Sequence, residues 1–215
     1  MSHTSLFQQR DEIRKAIRQK RRLLTLNEQQ QAANKLCEHV LSHPKIKQAQ
    51  TIALFLSFDG EIDTSPLISQ LWALNKQVCL PVLHPFHRHH LLFLRYTPST
   101  MLVKNRFNIS EPPLNVNRVI PISHIDVIFT PLVAFDAQGQ RLGMGGGFYD
   151  RTLENWQQKS FYPMGLAHTC NKLDLSLRLI GMFHYLKLSP LKKYGIFKSF
   201  YFLLSMIICV FLYSL

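Results

Sequence analysis

Arg141-Leu-Gly-Met-Gly-Gly-Gly-Phe-Tyr-Asp-Arg151 carries four glycines in five positions, then an aromatic pair, an acid and a base. Backbone freedom is given up on this scale where a chain needs positive φ or lets a ligand approach the main chain. Successive N–H groups in such a loop form a concavity that binds anions, phosphates above all. A helix expected from Phe148 to about Gln158 would add the partial positive charge of its N-terminus. Asp150 stands where a magnesium ion bridging phosphates would need a carboxylate oxygen. The chemistry in view is a nucleotide-phosphate site with a metal. Neither common fingerprint fits: counting from Gly143 and Gly145, the third dinucleotide glycine is Phe148, and no Lys follows as a P-loop requires. A glycine-rich hairpin or helix cap that only reverses the chain would use glycine for the same φ reasons.

Other reactive side chains fall into small groups. Arg10 and Arg14 lie four apart on one helical face, so both guanidinium groups can reach one polyanion. A solvated basic face explains that pair equally well. Glu61 is a turn acid following an apolar strand. Phe148 and Tyr149 can stack on ligand rings or pack the helix start. His84, His87, His89 and His90 crowd one loop. Without a cysteine or carboxylate nearby, a polar strand connection suits them better than a metal site.

The elements that must position these groups follow from periodicity. Residues 6–24 read as a helix with Ile13, Ala16, Ile17 and Leu24 near one face. Thr25 caps a second helix, with Glu28 completing a capping box, and His43-Pro44 ends it. Apolar runs at 51–57, 77–83, 90–96, 125–135 and 162–167 read as strands, and a helix capped by Thr64 or Ser65 carries Pro66 in its first turn. Residues 97–113 read as polar irregular chain. Strands alternating with helices imply an α/β fold in three layers, a mainly parallel sheet with helices on both faces. Ligands bind such sheets beyond the carboxyl ends of the strands. Glu61 and the glycine loop both follow apolar strands, so they can converge on one cleft.

Composition narrows the classes. The 215 residues suit one α/β domain with a real core. Of the net charge of +12, residues 1–22 hold +5 and residues 171–215 another +5. With the basicity confined to the ends, no stripe of a nucleic-acid footprint runs through the body, so no nucleic-acid partner is expected. Four scattered cysteines and a polar N-terminus fit a reduced, cytoplasmic protein.

Several blocks in order give the chain a resemblance to the 5-formyltetrahydrofolate cyclo-ligase family over residues 6–173. They are the basic first helix, Leu56-Ser-Phe-Asp-Gly-Glu-Ile-Asp-Thr64, Leu80-Pro-Val-Leu83, Phe107-Asn-Ile-Ser-Glu-Pro112, Pro131-Leu-Val-Ala-Phe-Asp136 and the glycine loop. The resemblance implies a monomeric enzyme using ATP and Mg²⁺ to convert 5-formyltetrahydrofolate to 5,10-methenyltetrahydrofolate, releasing ADP and phosphate. It implies that Arg10, Arg14, Arg141, Leu142, Gly143, Met144, Gly145, Gly146, Gly147, Phe148 and Tyr149 meet ATP. Leu56, Glu61 and the Met144 to Phe148 run would contact the folate, and Asp150 the magnesium. A carboxylate at Glu61 suits the N–H-rich edge of a reduced pterin, accepting two hydrogen bonds.

After Asp174 the resemblance ends, dividing the chain into a cyclo-ligase-like domain at 1–174 and an aberrant tail at 175–215. Family members continue to a last strand and a second acid that joins the magnesium site. This chain has no Asp or Glu in its last 41 residues, and residues 199–215 are almost wholly apolar. The tail reads either as a membrane anchor or as residues translated out of frame after an insertion or deletion near codon 175. The abrupt loss favours the second. The last strand and the second acid are expected to be missing, and turnover weak or absent. An inactive ATP- and folate-binding relative and a tail-anchored adaptor are the competing functions.

Overall fold

Ser5 and Thr25 start the first two helices by the same device. Each hydroxyl accepts a backbone N–H three residues on, and Gln8 or Glu28 reaches back to the cap's own N–H. The helices are α1 (Leu6–Arg22) and α2 (Leu26–Ser42), followed by α3 (Pro44–Gln48), which begins at the expected His43-Pro44 stop. A computed structural model describes residues 5–174, 188–190 and 206–209 of the chain.

A sheet of eight strands forms the middle layer. Its centre is parallel: β1 (Thr51–Ala53) lies between β2 (Gln77–Leu83) and β7 (Val127–Pro131), and β10 (Tyr162–Leu166) follows β7. One edge is antiparallel, made by β3 (Leu91–Tyr96) and β6 (Val119–Ile120). The cause is the connection, because residues 84–90 are too few for a crossover and can only form a hairpin. Two small ribbons stand apart, β4 (Val103–Lys104) with β5 (Ser110–Glu111), and β8 (Ala134–Phe135) with β9 (Arg141–Leu142). The first gives structure to a stretch expected to be irregular.

The strand alternation separates two cores. Ile52, Val78, Leu80, Val127 and Phe129 pack under α2, α3 and α4 (Ser65–Ala73). Their chain neighbours Ala53, Cys79 and Ile128 face the other side, with Leu153, Trp156 and Phe161. Among the described residues that second face carries the short α5 (Phe148–Thr152) and the single turns Ile122–His124 and Trp156–Gln158. The expected helix to about Gln158 is therefore corrected to five residues. Asn155 adopts a left-handed φ of 53°, which breaks helical continuation. The expected 125–135 strand is likewise split at Leu132 and Val133, where the chain leaves β7 after Pro131 to pair β8 with β9.

Beyond β10 the sheet gains β12 (Met206–Cys209), parallel to it, and β11 (Leu188–Pro190) outside β12. The expected absence of a strand at this edge is corrected. A strand in a parallel sheet requires only a short apolar run, and Met-Ile-Ile-Cys supplies one. No helix among the described residues is long and apolar enough to cross a membrane. Most of the 175–215 tail, including most of the 199–215 stretch read as an anchor, lies outside the described residues.

Candidate active site

At the carboxyl ends of β1, β2 and β7, a cleft of about 480 Å³ opens. Its apolar walls include Phe55, Leu56, Leu80, Val82 and Pro131, with the glycine loop along one side and Glu61 on another. Of the residues singled out in the sequence, Leu56, Glu61, Arg141, Gly143, Met144, Gly145, Gly146, Gly147, Phe148, Tyr149 and Asp150 all line it. Leu142 does not. Leu142 is buried against Ile17, Val133 and Ala134, and its carbonyl accepts the Val133 N–H.

The glycine loop earns its composition at two places. Gly145 and Gly147 hold φ of 99° and 69°, conformations that L side chains rarely adopt. A Cβ on Gly146 would come within 2.9 Å of the Phe148 ring. Because α5 has five residues, the expected long helix dipole is missing, and the donors at this place are the loop's own N–H groups and nearby arginines. Arg14 reaches across from α1 and donates from Nε to the Gly143 carbonyl at 2.9 Å and from Nη1 to Asp11 at 2.6 Å. Arg10 lies one turn earlier on α1 and is half-buried.

Arg141 is the buried cation of the site, with 5% of its surface exposed. Its Nη2 donates to Asp150 Oδ1, while its Nε has no partner. Burial lowers the guanidinium pKa, and the charge of Asp150 opposes that shift. The Tyr149 hydroxyl is buried and also lacks a partner, and burial pushes its pKa up. Two unpaired buried donors beside an apolar cleft are groups that a polar ligand would satisfy. Asp150 itself is half exposed at the cleft mouth.

Glu61 sits at the end of a turn fixed from below. Burial raises its pKa to about 7, against the lowering influence of Arg21 and of the Phe58 N–H, which donates to Oε2 at 3.2 Å. The carboxylate is therefore poised to change charge near neutrality. Behind this turn lies His168, which burial pushes down to about pKa 4 and keeps neutral.

Two features were not legible beforehand. Asp59 is nearly buried and accepts hydrogen bonds from Arg18, Arg21 and Arg22, so three of the helix's arginines are used internally. Burial pushes its pKa up, but those guanidinium groups outweigh it and hold the carboxyl below its ordinary value. The β4–β5 ribbon also supplies cleft walls: Asn105, Phe107, Ile109, Ser110 and Glu111 line it, and Phe107 meets the Phe148 ring edge-on at 6.0 Å. The exposed aromatic in Arg106-Phe107-Asn108 was the available signal.

Comparison with known proteins converges on one family. The model of the 5-formyltetrahydrofolate cyclo-ligase family matches residues 7–176. The Haemophilus influenzae 5-formyltetrahydrofolate cyclo-ligase is 56% identical over 167 residues, 78% of this chain and 89% of the relative. The Escherichia coli K12 protein of the same name is 55% identical over 158 residues, covering 74% and 87%. The solution structure of the Aquifex aeolicus 5,10-methenyltetrahydrofolate synthetase aligns with a TM-score of 0.65 and 27% identity over 78% of this chain and 81% of its own. A Mycoplasma pneumoniae synthetase shares the fold at TM-score 0.60 and 22% identity, over 78% and 90%. This chain belongs to the 5-formyltetrahydrofolate cyclo-ligase family.

Proposed function

We propose that the cleft binds ATP and 5-formyltetrahydrofolate side by side and converts the folate to 5,10-methenyltetrahydrofolate, with release of ADP and phosphate. The supporting observation is the convergence, on one cleft, of a phosphate-type glycine loop, a buried arginine with an unpaired donor, and a poised carboxylate. In this reading the loop from Arg141 to Tyr149 cradles ATP, with Arg10 and Arg14 reaching its phosphates. Leu56, Glu61 and the Met144 to Phe148 run meet the folate. Leu142 contributes only backbone, since its side chain is in the core.

The reaction replaces a poor oxygen leaving group with a good one. The formyl oxygen attacks the γ-phosphorus as the bond to ADP breaks, giving an iminium phosphate on N5. The N10 amine adds to that carbon and loses its proton, and phosphate departs. The protein's part is to hold the formyl oxygen in line with the γ-phosphate and to neutralise developing charge. Arg141, desolvated and anchored, is placed for the second task, while Glu61 fixes the pterin edge through its ionised form.

Magnesium, when bound, would neutralise phosphate charge, and Asp150 is the residue here to hold it. Magnesium takes one or two carboxylates and completes its shell with phosphates and water, so a single half-exposed aspartate fits the protein's share. Among the described residues no group of three or more His, Cys, Asp or Glu could hold a metal alone. With no Asp or Glu beyond Asp174, a second carboxylate from the tail is absent, so the expected turnover is weak. The enzyme acts as a cytoplasmic monomer in this reading. The test is ATP-dependent methenyl-folate formation, followed spectroscopically. A slow ATP-dependent signal supports the reading, turnover equal to an intact family member removes the role given to the missing acid, and failure to bind either ligand rejects the cleft.

A further inference from the structure

Besides Arg14, a second side chain grips the glycine loop. His89, in the connection between β2 and β3, places Nδ1 2.8 Å from the Gly146 carbonyl oxygen. A carbonyl can only accept, so Nδ1 carries the proton. The same ring leans on Phe148 with centroids 5.5 Å apart. His89 does this with a left-handed φ of 64°, a conformation that costs free energy for a residue with a Cβ. The connection is braced to hold it. His84 donates its N–H to the His90 carbonyl at 3.2 Å, and its Nδ1 accepts the N–H groups of Phe86 and His87 at 3.1 and 3.0 Å. Among the described residues the histidines form no group able to hold a metal.

We propose that His89 is a positioning residue that pins Gly146 while Arg14 pins Gly143, the two together holding the glycine loop in its ligand-receiving shape. The two clips engage carbonyls three residues apart, on either side of Gly145 with its φ of 99°. They turn those carbonyls towards protein donors. Without them, a run of glycines would sample many conformations and would have to be ordered at binding. The histidine-rich connection thus serves as a strap, beyond its role in joining two strands. The ligand side of this inference rests on the reading that the loop takes ATP phosphates.

The test uses the full chain, its His89→Ala variant and its His89→Asn variant. Asparagine keeps a side-chain N–H donor and tolerates positive φ. The first readout is amide hydrogen exchange over residues 142–148 without ligand, and the second is the Kd for ATP. Exchange in His89→Ala should speed up about fivefold and ATP binding weaken about fivefold, the factor of one neutral hydrogen bond. His89→Asn should stay near the parent in both, with melting temperatures alike. Unchanged exchange in His89→Ala overturns the proposal, as does exchange in His89→Asn as fast as in His89→Ala. If exchange responds but the parent does not bind ATP, the positioning role stands and the functional reading fails.

Discussion

Two turns border the cleft, and arginines of α1 grip both, yet the two are built differently. At Phe58–Glu61, the Asp59 carboxylate, 4% exposed, gathers Arg18, Arg21 and Arg22. Three guanidinium groups share that one carboxylate, and the buried Arg21 Nη1 keeps no partner. At the glycine loop, Arg14 meets a backbone carbonyl of the loop and Asp11 on its own helix, and Arg141 and Tyr149 keep unpaired buried donors. One end of the helix is a staple clamped on a buried carboxylate. The other is left open toward a cleft. Basic residues on one helix therefore divide by what they face, and a charge count alone does not separate them.

The largest effect is expected at the clamped end. Asp59→Ala leaves the fully buried Arg21 without its counter-charge, so unfolding free energy should fall by about 3–5 kcal/mol in chemical denaturation. A loss below about 1 kcal/mol would mean the staple is a surface pair and the contrast is void. Next comes Glu61, which links the two turns. With its pKa raised to about 7, folate affinity should rise with pH and level off above 7, falling about tenfold per unit below it. Stability runs the other way. The folded protein retains this proton between about 4.5 and 7, so the contribution of Glu61 is full below 4.5 and is lost as pH rises through 7. Glu61→Gln should flatten both profiles, and an unaltered folate profile would remove Glu61 from the site. The smallest effect belongs to Asp150. Asp150→Asn removes the counter-charge of the buried Arg141 but keeps an oxygen to accept its hydrogen bond, so the stability loss should be about 1–3 kcal/mol, below that of Asp59→Ala. It should weaken ATP binding severalfold with magnesium present and leave it unchanged with chelator, as calorimetric titration would read.

Much of this was legible in the chain. Thr25 with Glu28, the run at 77–83 and the Gly143 to Gly147 loop carry their geometry locally, through caps, apolar periodicity and φ preferences. What was missed depends on partners distant in sequence. Asp59 looks like any turn acid until α1 lies over it, and the antiparallel edge at β3 follows from a connection too short to cross over. The Phe148 helix was overestimated because its apolar spacing continues past Asn155, where the backbone turns left-handed. The apolar tail carried no signal distinguishing a spanning segment from a short strand such as Met206–Cys209.

The division of α1 is tested most directly by removing one arginine from each end. Arg14→Ala and Arg22→Ala delete the same charge from the same helix, eight positions apart. ATP affinity, titrated calorimetrically, should fall at least about tenfold in Arg14→Ala, as for loss of a charged hydrogen-bonding partner, with the melting temperature little changed. Arg22→Ala should keep the parent affinity and show its effect in melting alone. Equal losses of ATP affinity in both, or none in Arg14→Ala, would contradict the account.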